Sequence, residues 1–292
     1  MSVGSILEGA FRILRARPGA VLIWMIIYLA LSVAMSFATV AMIKGQVDAR
    51  AAGASEASAS WSLISQGMAL SVVALLVTMI VCAAVLRAVL RPGEGGPGAL
   101  RLGMDEVRLF LLALLYMVGT FIALFVIGIF AAILAGTAGT GAALLVMGGV
   151  TLALGAFFYT KLSLSFPLTL MRKRFVVGEA WNLTRDRFWT LFTAYLVLFL
   201  LLLALSLLAA LVTEREYFAA IFQGGFDSER AQQADVHEYE ALSQGVIDST
   251  IFLRWASDAV LGALSAALFG AANATAVKEL TFQEEGLRDT FA

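Results

Sequence analysis

The residue types that usually carry out catalysis or hold metals are scarce in this sequence of 292 residues. It has one histidine, His237, which lies in a predicted acidic outer loop, and one cysteine, Cys82. A serine–histidine pair inside a membrane and an intrachain disulfide are therefore both excluded. The nearest grouping to a metal site is Asp235-x-His237-Glu238-x-Glu240, but one imidazole with carboxylates is a weak ligand set. No phosphate-binding loop or dinucleotide fingerprint is present. The sequence therefore predicts no catalytic residue, no metal site and no cofactor.

The chain around these residues is too apolar for a water-soluble domain. Hydrophobic residues make up 61% and charged residues 14% of it, and the mean hydropathy is +0.90, whereas soluble domains have about 45–50% apolar and about 25% charged residues. Lipid offers the backbone no hydrogen-bond partners, so apolar segments of about 20 residues are predicted to be spanning helices of one all-α integral membrane domain. Six segments qualify: 19–43, 63–86, 109–134, 142–166, 188–212 and 258–277. An outer loop is predicted over 213–250 and a tail over 278–292.

The six predicted spans form three hairpins, and an interfacial amphipathic helix is predicted before each hairpin. Residues 7–17 align with residues 177–187 at an offset of 170, with three identities in eleven positions, and residues 98–108 occupy the corresponding place before the third span. This is a weak three-fold internal repeat. The N-terminal segment, 1–18, has its apolar residues on one helical face, so we expect it to lie at the membrane interface. Packing against the bundle is the alternative.

Basic residues are divided unequally across the predicted membrane. Fifteen of the twenty Lys and Arg residues lie on the side that carries both termini, which predicts cytoplasmic termini by the positive-inside rule. The net charge is −1, so nothing indicates nucleic acid as a partner. Basic residues beside an anionic leaflet attract lipid headgroups, although the same residues also act as topology signals. The candidate headgroup contacts are Arg15, Arg17, Arg172, Lys173, Arg174, Arg185 and Arg187.

Ionisable residues inside the spans would mark ion pathways or proton relays, and they are nearly absent. Lys161 lies near the cytoplasmic end of the fourth predicted span, where its ammonium group is expected to reach the headgroups. Arg254 and Asp258 lie one helical turn apart at the outer start of the sixth span and are a candidate intramembrane ion pair. Asp258 as a helix N-cap is the alternative. This distribution gives little support to an ion-coupled pump.

Small residues recur every four positions along the sixth predicted span and form a candidate helix-packing ridge, because small side chains let helices approach closely. The ridge consists of Gly262, Ala266, Gly270 and Ala274. Packing within the bundle and association with a second copy or a partner membrane subunit are both compatible with this pattern.

Two adjoining stretches, residues 161–171 and 175–189, resemble the YciC-like group, which includes the membrane domain that accompanies some glycerophosphoryl diester phosphodiesterases. The second stretch matches the pattern of the group at its tryptophan, Leu-Thr and Phe-Trp positions, whereas Asp186 stands where glycine is common. The resemblance implies the membrane part alone, without the phosphodiesterase barrel, and it provides no catalytic residues.

These features favour a non-enzymatic protein of a bacterial inner membrane, a lipid-interacting scaffold or accessory subunit in envelope homeostasis with membrane lipids as partners. The first alternative is a transporter or permeation path for a lipid or another amphiphile. The second alternative is a membrane enzyme with an outer-face site at His237, Arg254 and Asp258. A lateral opening would favour the transporter, and its predicted polar lining is Ser163, Ser165, Thr193 or Asn273.

Overall fold

The computed structural model describes the backbone of residues 1–53, 55–93, 96–213 and 239–291, and most side chains up to residue 281. These residues form helices and connecting turns, with no strand among them, which confirms the all-α prediction. The helices are α1 (Val3–Ala16), α2 (Pro18–Ala51), α3 (Glu56–Leu90), α4 (Met104–Ala138), α5 (Thr140–Leu162), α6 (Ser165–Arg172), α7 (Val177–Leu183), α8 (Phe188–Thr213) and α9 (Ser249–Phe291).

Six helical segments of the described chain are long and apolar enough to cross a membrane, and each coincides with one predicted span. This confirms the integral membrane class and the multi-pass arrangement. The spans expose large apolar side chains, as Phe125, Leu145 and Leu152 show with exposed fractions of 71%, 81% and 76%. Water-soluble monomers rarely expose extended apolar surfaces, whereas lipid solvates them.

The helices differ from the apolar segments at their ends. Helix α9 contains 43 residues and runs on through most of the predicted tail, 278–292, because apolar residues mark only the part of a helix that needs lipid. The connection between α4 and α5 is a single residue, Gly139, with φ of 90°, a conformation that glycine adopts at little cost. Within the predicted outer loop, residues 214–238 lie outside the described residues and 239–243 are helical.

Two of the three predicted pre-span segments contain a separate α-helix, and the second differs. Helices α1 and α7 precede the first and fifth predicted spans. Residues 98–108 instead contain a 3₁₀ turn at Pro97–Ala99 and then the beginning of α4 at Met104. Pro97 and the glycines at 96, 98 and 103 interrupt any helix there, so this segment has no amphipathic helix of its own.

The described chain divides into two compact units. Unit 1 comprises Met1–Arg17, Met79–Leu198 and Ala267–Ala292. Its helices approach closely at two glycines: a Cβ at Gly9 of α1 would overlap the side chain of Thr275 of α9, and a Cβ at Gly270 would lie 2.7 Å from Cγ1 of Val85. One core cluster of unit 1 consists of Ala83, Leu86, Leu109, Leu170 and Ala274.

Unit 2 comprises Pro18–Thr78 and Phe199–Ala266. Its core is centred on Trp255, whose indole N–H donates to Ser36 Oγ at 2.9 Å. A Cβ at Gly262 would lie 2.9 Å from Cδ1 of Tyr28. The ridge positions 262, 270 and 274 therefore pack within the chain, and association with a second copy stays a prediction.

Candidate functional site

In unit 1, a cleft of about 260 Å³ lies between the C-terminal half of α1 and the end of α3. Its charged lining residues are Arg12 and Arg17, and its other lining residues are Gly9, Ile13, Ala16, Ala88, Val89 and Pro92. This volume is below the range of about 300–1,000 Å³ that small-molecule pockets usually have. An apolar groove of this size with two cations suits the headgroup region of an anionic amphiphile.

Local sequence features place both arginines at the cleft. Gly9, Arg12 and Ile13 lie on one face of α1 because residues three and four apart are neighbours on a helix. Arg17 precedes Pro18, and the helical conformation is disfavoured before proline. Accordingly Arg17 has φ of −138° and ψ of 57°, and its backbone N–H donates to Ile13 O at 3.0 Å. Helix α1 therefore ends at the cleft.

The side-chain donors of Arg12 and Arg17 have no partner among the described residues. Within the described part of the chain, neither guanidinium forms an ion pair or donates a side-chain hydrogen bond. Four other arginines of unit 1 contact carboxylates: Arg87, Arg91, Arg108 and Arg172. A guanidinium presents its N–H groups in a planar fork that matches a phosphate or carboxylate, so these two arginines can bind such an anion.

A network of ion pairs and hydrogen bonds links the end of α3 to the start of α4. Arg87 is 2% exposed; it forms an ion pair with Glu106 and donates to Ala99 O at 2.7 Å. Asp105, the neighbour of Glu106, lies 3.1 Å from Arg108 Nη1. Arg91 donates to the Leu170 carbonyl of α6 at 2.9 Å. The guanidinium groups of these arginines bind carboxylates and backbone carbonyls of the protein itself, so they stabilise the fold beside the cleft.

Hydroxyl groups pair at the break between α5 and α6. Pro167, in the first turn of α6, has no N–H to continue the helical hydrogen bonds. Ser163 Oγ and the Tyr195 hydroxyl are 2.9 Å apart, and the Tyr116 hydroxyl donates to Ser165 Oγ at 2.8 Å. Both serines are buried. Sequence reasoning missed these tyrosines, and the signal for them is that a buried tyrosine hydroxyl needs a partner.

Thr193 and Asn273, the other two residues predicted to line a lateral opening, do not lie with these serines in an opening. Thr193 is exposed, and its hydroxyl donates to the Trp189 carbonyl of its own helix at 2.8 Å. Asn273 is 9% exposed and lies beside the Tyr159 hydroxyl. Among the residues that the structure describes, three of the four predicted lining residues are therefore buried in packing.

The Lys161 side chain is buried against aromatic rings. Its side chain is 8% exposed, and Nζ lies 5.3 Å from the centre of the Trp181 ring and 5.8 Å from that of Phe188. Helix α7 and the first residue of α8 cover the end of α5, and the reach of the ammonium group to the headgroups stays a prediction. Interaction of the ammonium group with the aromatic rings compensates in part for its burial.

The predicted headgroup contacts have different surroundings. Arg17 lines the cleft and Arg15 is exposed on α1. Arg172 forms an ion pair with Glu179 at 2.9 Å, and Lys173 ends α6 with φ of 54°. The remaining three, Arg174, Arg185 and Arg187, are exposed. Arg12 was missed, although its place three residues after Gly9 on the amphipathic helix could have indicated it.

Arg254 and Asp258, the candidate groups on the predicted outer face, belong to unit 2, whereas the cleft residues belong to unit 1. The Asp258 carboxylate of unit 2 accepts a hydrogen bond from Ser32 Oγ at 3.2 Å. Asp258 lies within α9, so it does not cap the start of that helix. The ion pair between Arg254 and Asp258 stays a prediction, and His237 lies outside the described residues.

Comparisons of the chain with protein-family models, with curated proteins and with solved structures found no match. Membership in the YciC-like group therefore stays a prediction from residues 161–171 and 175–189.

Proposed function

We propose that this protein is a non-enzymatic, lipid-interacting protein of a bacterial inner membrane, a scaffold or accessory subunit with both termini in the cytoplasm. The observation that carries the proposal is the cleft beside α1, in which Arg12 and Arg17 have no side-chain partner in the described chain. The ligand class is a phospholipid with a net negative headgroup, such as phosphatidylglycerol.

The cleft has a charged part that suits the phosphate of such a lipid and an apolar part that suits its glycerol and first methylene groups. The guanidinium groups donate hydrogen bonds to phosphate oxygens, and each basic residue near an anionic surface contributes about 1 kcal/mol. The apolar wall of Ile13, Ala88 and Val89 accepts the glycerol and the first methylene groups. Helix α1 is amphipathic, so it presents the cleft at the depth where headgroups lie.

The two alternatives have less support. A transporter for an amphiphile would use a lateral opening, but Ser163 and Ser165 are buried and hydrogen-bonded to tyrosines. An outer-face enzyme would need the Asp258 carboxylate in a cluster of ionisable groups, whereas this carboxylate accepts a hydrogen bond from the Ser32 hydroxyl.

The proposal is tested by native mass spectrometry of the detergent-purified protein with phosphatidylglycerol or phosphatidylcholine added. The wild-type protein is expected to retain phosphatidylglycerol in preference to phosphatidylcholine. The double variant Arg12→Gln/Arg17→Gln is expected to lose this preference by about tenfold or more, since two charge-assisted contacts are removed.

The control removes the same amount of charge elsewhere. Arg50→Gln/Arg101→Gln changes two exposed arginines that are not part of the cleft and is expected to keep the preference. Equal preferences in the two double variants would overturn the assignment of the cleft, because general charge would then explain the binding.

A further inference from the structure

The ammonium group of Lys161 is enclosed by aromatic rings and has no hydrogen-bond acceptor in the described chain. Lys161 lies in the last turn of α5 and is 8% exposed. Its Nζ atom is 5.3 Å from the Trp181 ring centre and 5.8 Å from the Phe188 ring centre. No oxygen of the described residues accepts a hydrogen bond from Nζ or forms an ion pair with it.

Packing of three helices holds this arrangement in place. Thr184, just after α7, is fully buried, and its hydroxyl lies 3.4 Å from the Lys161 carbonyl and 3.0 Å from the Trp181 carbonyl. This contact holds the end of α7 against the end of α5. Phe188 is the first residue of α8. The positions of the ammonium group and of both rings are therefore fixed by the packing of unit 1.

An exposed aromatic surface adjoins the ammonium group. Phe157 is 39% exposed and its ring centre lies 6.0 Å from that of Trp181, while Phe158 is 47% exposed. Trp189 is 75% exposed beside Phe188. Tryptophan side chains favour the boundary between hydrocarbon and headgroups, so this surface meets lipid at the depth of the phosphate groups.

Rings attract a cation but accept no conventional hydrogen bond from it, and an ammonium group has three N–H donors. A buried charge is costly unless it is both paired and hydrogen-bonded. We infer that Lys161, with Trp181 and Phe188, forms a binding site for the phosphodiester group of a membrane phospholipid, whose acyl chains lie on Phe157, Phe158 and Trp189.

This site rests on the proposed function and extends it to a second lipid position with a different preference. One ammonium group matches the single negative charge of a phosphodiester, so zwitterionic and anionic phospholipids bind equally. The cleft beside α1 has two guanidinium groups and favours a net negative headgroup. Inorganic phosphate shares the phosphate chemistry, and the experiment separates it from lipid.

The experiment measures retention of phosphatidylcholine and phosphatidylglycerol by native mass spectrometry, for the wild-type protein, Lys161→Met and Lys278→Met. Methionine removes the charge and keeps an unbranched side chain that is one atom shorter. Lys161→Met is expected to bind one phospholipid about tenfold more weakly, for both headgroups. Lys278, an exposed lysine of unit 1, is the matched control, and its variant is expected to behave as wild type.

A second pair of variants keeps the test valid if Lys161→Met does not fold. Lys161→Arg, which keeps the charge and the ring contacts, is expected to retain the lipid, whereas Lys161→Gln is expected to lose it. Equal retention by the charged and the uncharged variants would overturn the site. Displacement of the lipid by millimolar inorganic phosphate would overturn the lipid assignment in favour of free phosphate.

The two proposals fail independently. Arg12→Gln/Arg17→Gln changes the preference for phosphatidylglycerol, and Lys161→Met changes the number of bound phospholipids without altering that preference. A Lys161→Met variant that loses only the preference would contradict this second site and leave the first in place.

Discussion

Arg87 is enclosed almost completely, at 2% exposure, and is neutralised by Glu106, a residue nineteen positions later. The sequence places Arg87 just after an apolar segment, where it counts only as a basic residue of a connecting loop. Its burial follows from the turn at 97–99, which brings the Ala99 carbonyl and the start of α4 onto it. A pairing of this kind depends on how two helices meet, and spacing along the chain does not reveal it.

Removing one member of this pair is expected to cost more than removing both. Glu106→Leu leaves Arg87 buried without its counter-ion, which costs about 3–5 kcal/mol of stability, whereas an apolar replacement of both partners is often neutral. Thermal unfolding in detergent should therefore give a much lower Tm for Glu106→Leu, and Arg87→Met/Glu106→Leu should recover most of it.

Arg108→Met is the control for loss of charge, because its ion pair with Asp105 is partly exposed. Such pairs contribute about 0–1 kcal/mol, so its Tm is expected to change little. If Glu106→Leu and the double variant unfolded at the same temperature, the pair would not be the source of the stability.

Helix α1 is held by contacts at several points along α9. The Met1 ammonium group lies 3.7 Å from Glu279, Ser5 Oγ donates to Glu279 at 3.1 Å, and Gly9 packs directly on Thr275. The amphipathic pattern of residues 1–18 predicted this helix with Val3, Leu7, Ala10, Phe11 and Leu14 on its apolar face. The buried face instead carries Ile6, Gly9, Ala10 and Ile13, and Phe11 is 38% exposed. The pattern did not predict that this face packs on α9, because it shows which residues share a helical face but not which element covers that face.

Filling the space at Gly9 is expected to detach α1. A leucine at this position would overlap Thr275, and overpacking costs about 1–3 kcal/mol. Trypsin should then cleave Gly9→Leu at Arg12 or Arg15 about tenfold faster than the wild-type protein, since cleavage follows the population of the opened state.

Gly4→Ala is the control within the same helix, because a Cβ at Gly4 meets nothing closer than Ser2 Oγ at 3.9 Å. Alanine also favours helix over glycine, so its cleavage rate should be unchanged or lower. Equal rates for the two variants would show that Gly9 does not hold α1 on α9.

At the scale of the molecule, the six spans of the described residues go with an unequal distribution of basic residues. The described residues form six helices that are long and apolar enough to cross a membrane, and the bias of fifteen basic residues to five predicts which side the termini occupy. This bias is a property of the whole molecule, since no single loop carries it.

Cysteine labelling in intact bacterial cells tests this orientation. In a Cys82→Ala background, Ser2→Cys is expected to react with a membrane-impermeant maleimide only after the cells are permeabilised. Ala52→Cys, in the turn between α2 and α3, is expected to react in intact cells. The reverse pattern would place the termini outside and would contradict the proposed cytoplasmic cleft.

The sequence by itself determined the membrane class, the six spans and the amphipathic α1, because hydrophobicity and helical periodicity act locally along the chain. It also placed Arg17 among the candidate headgroup contacts. Only the tertiary structure decided that Arg12 and Arg17 share a cleft with the end of α3, that Lys161 is covered by Trp181 and Phe188, and that Arg87 is buried on Glu106. These outcomes depend on contacts between segments distant along the chain, where the geometry of packing decides which charges keep a partner within the protein.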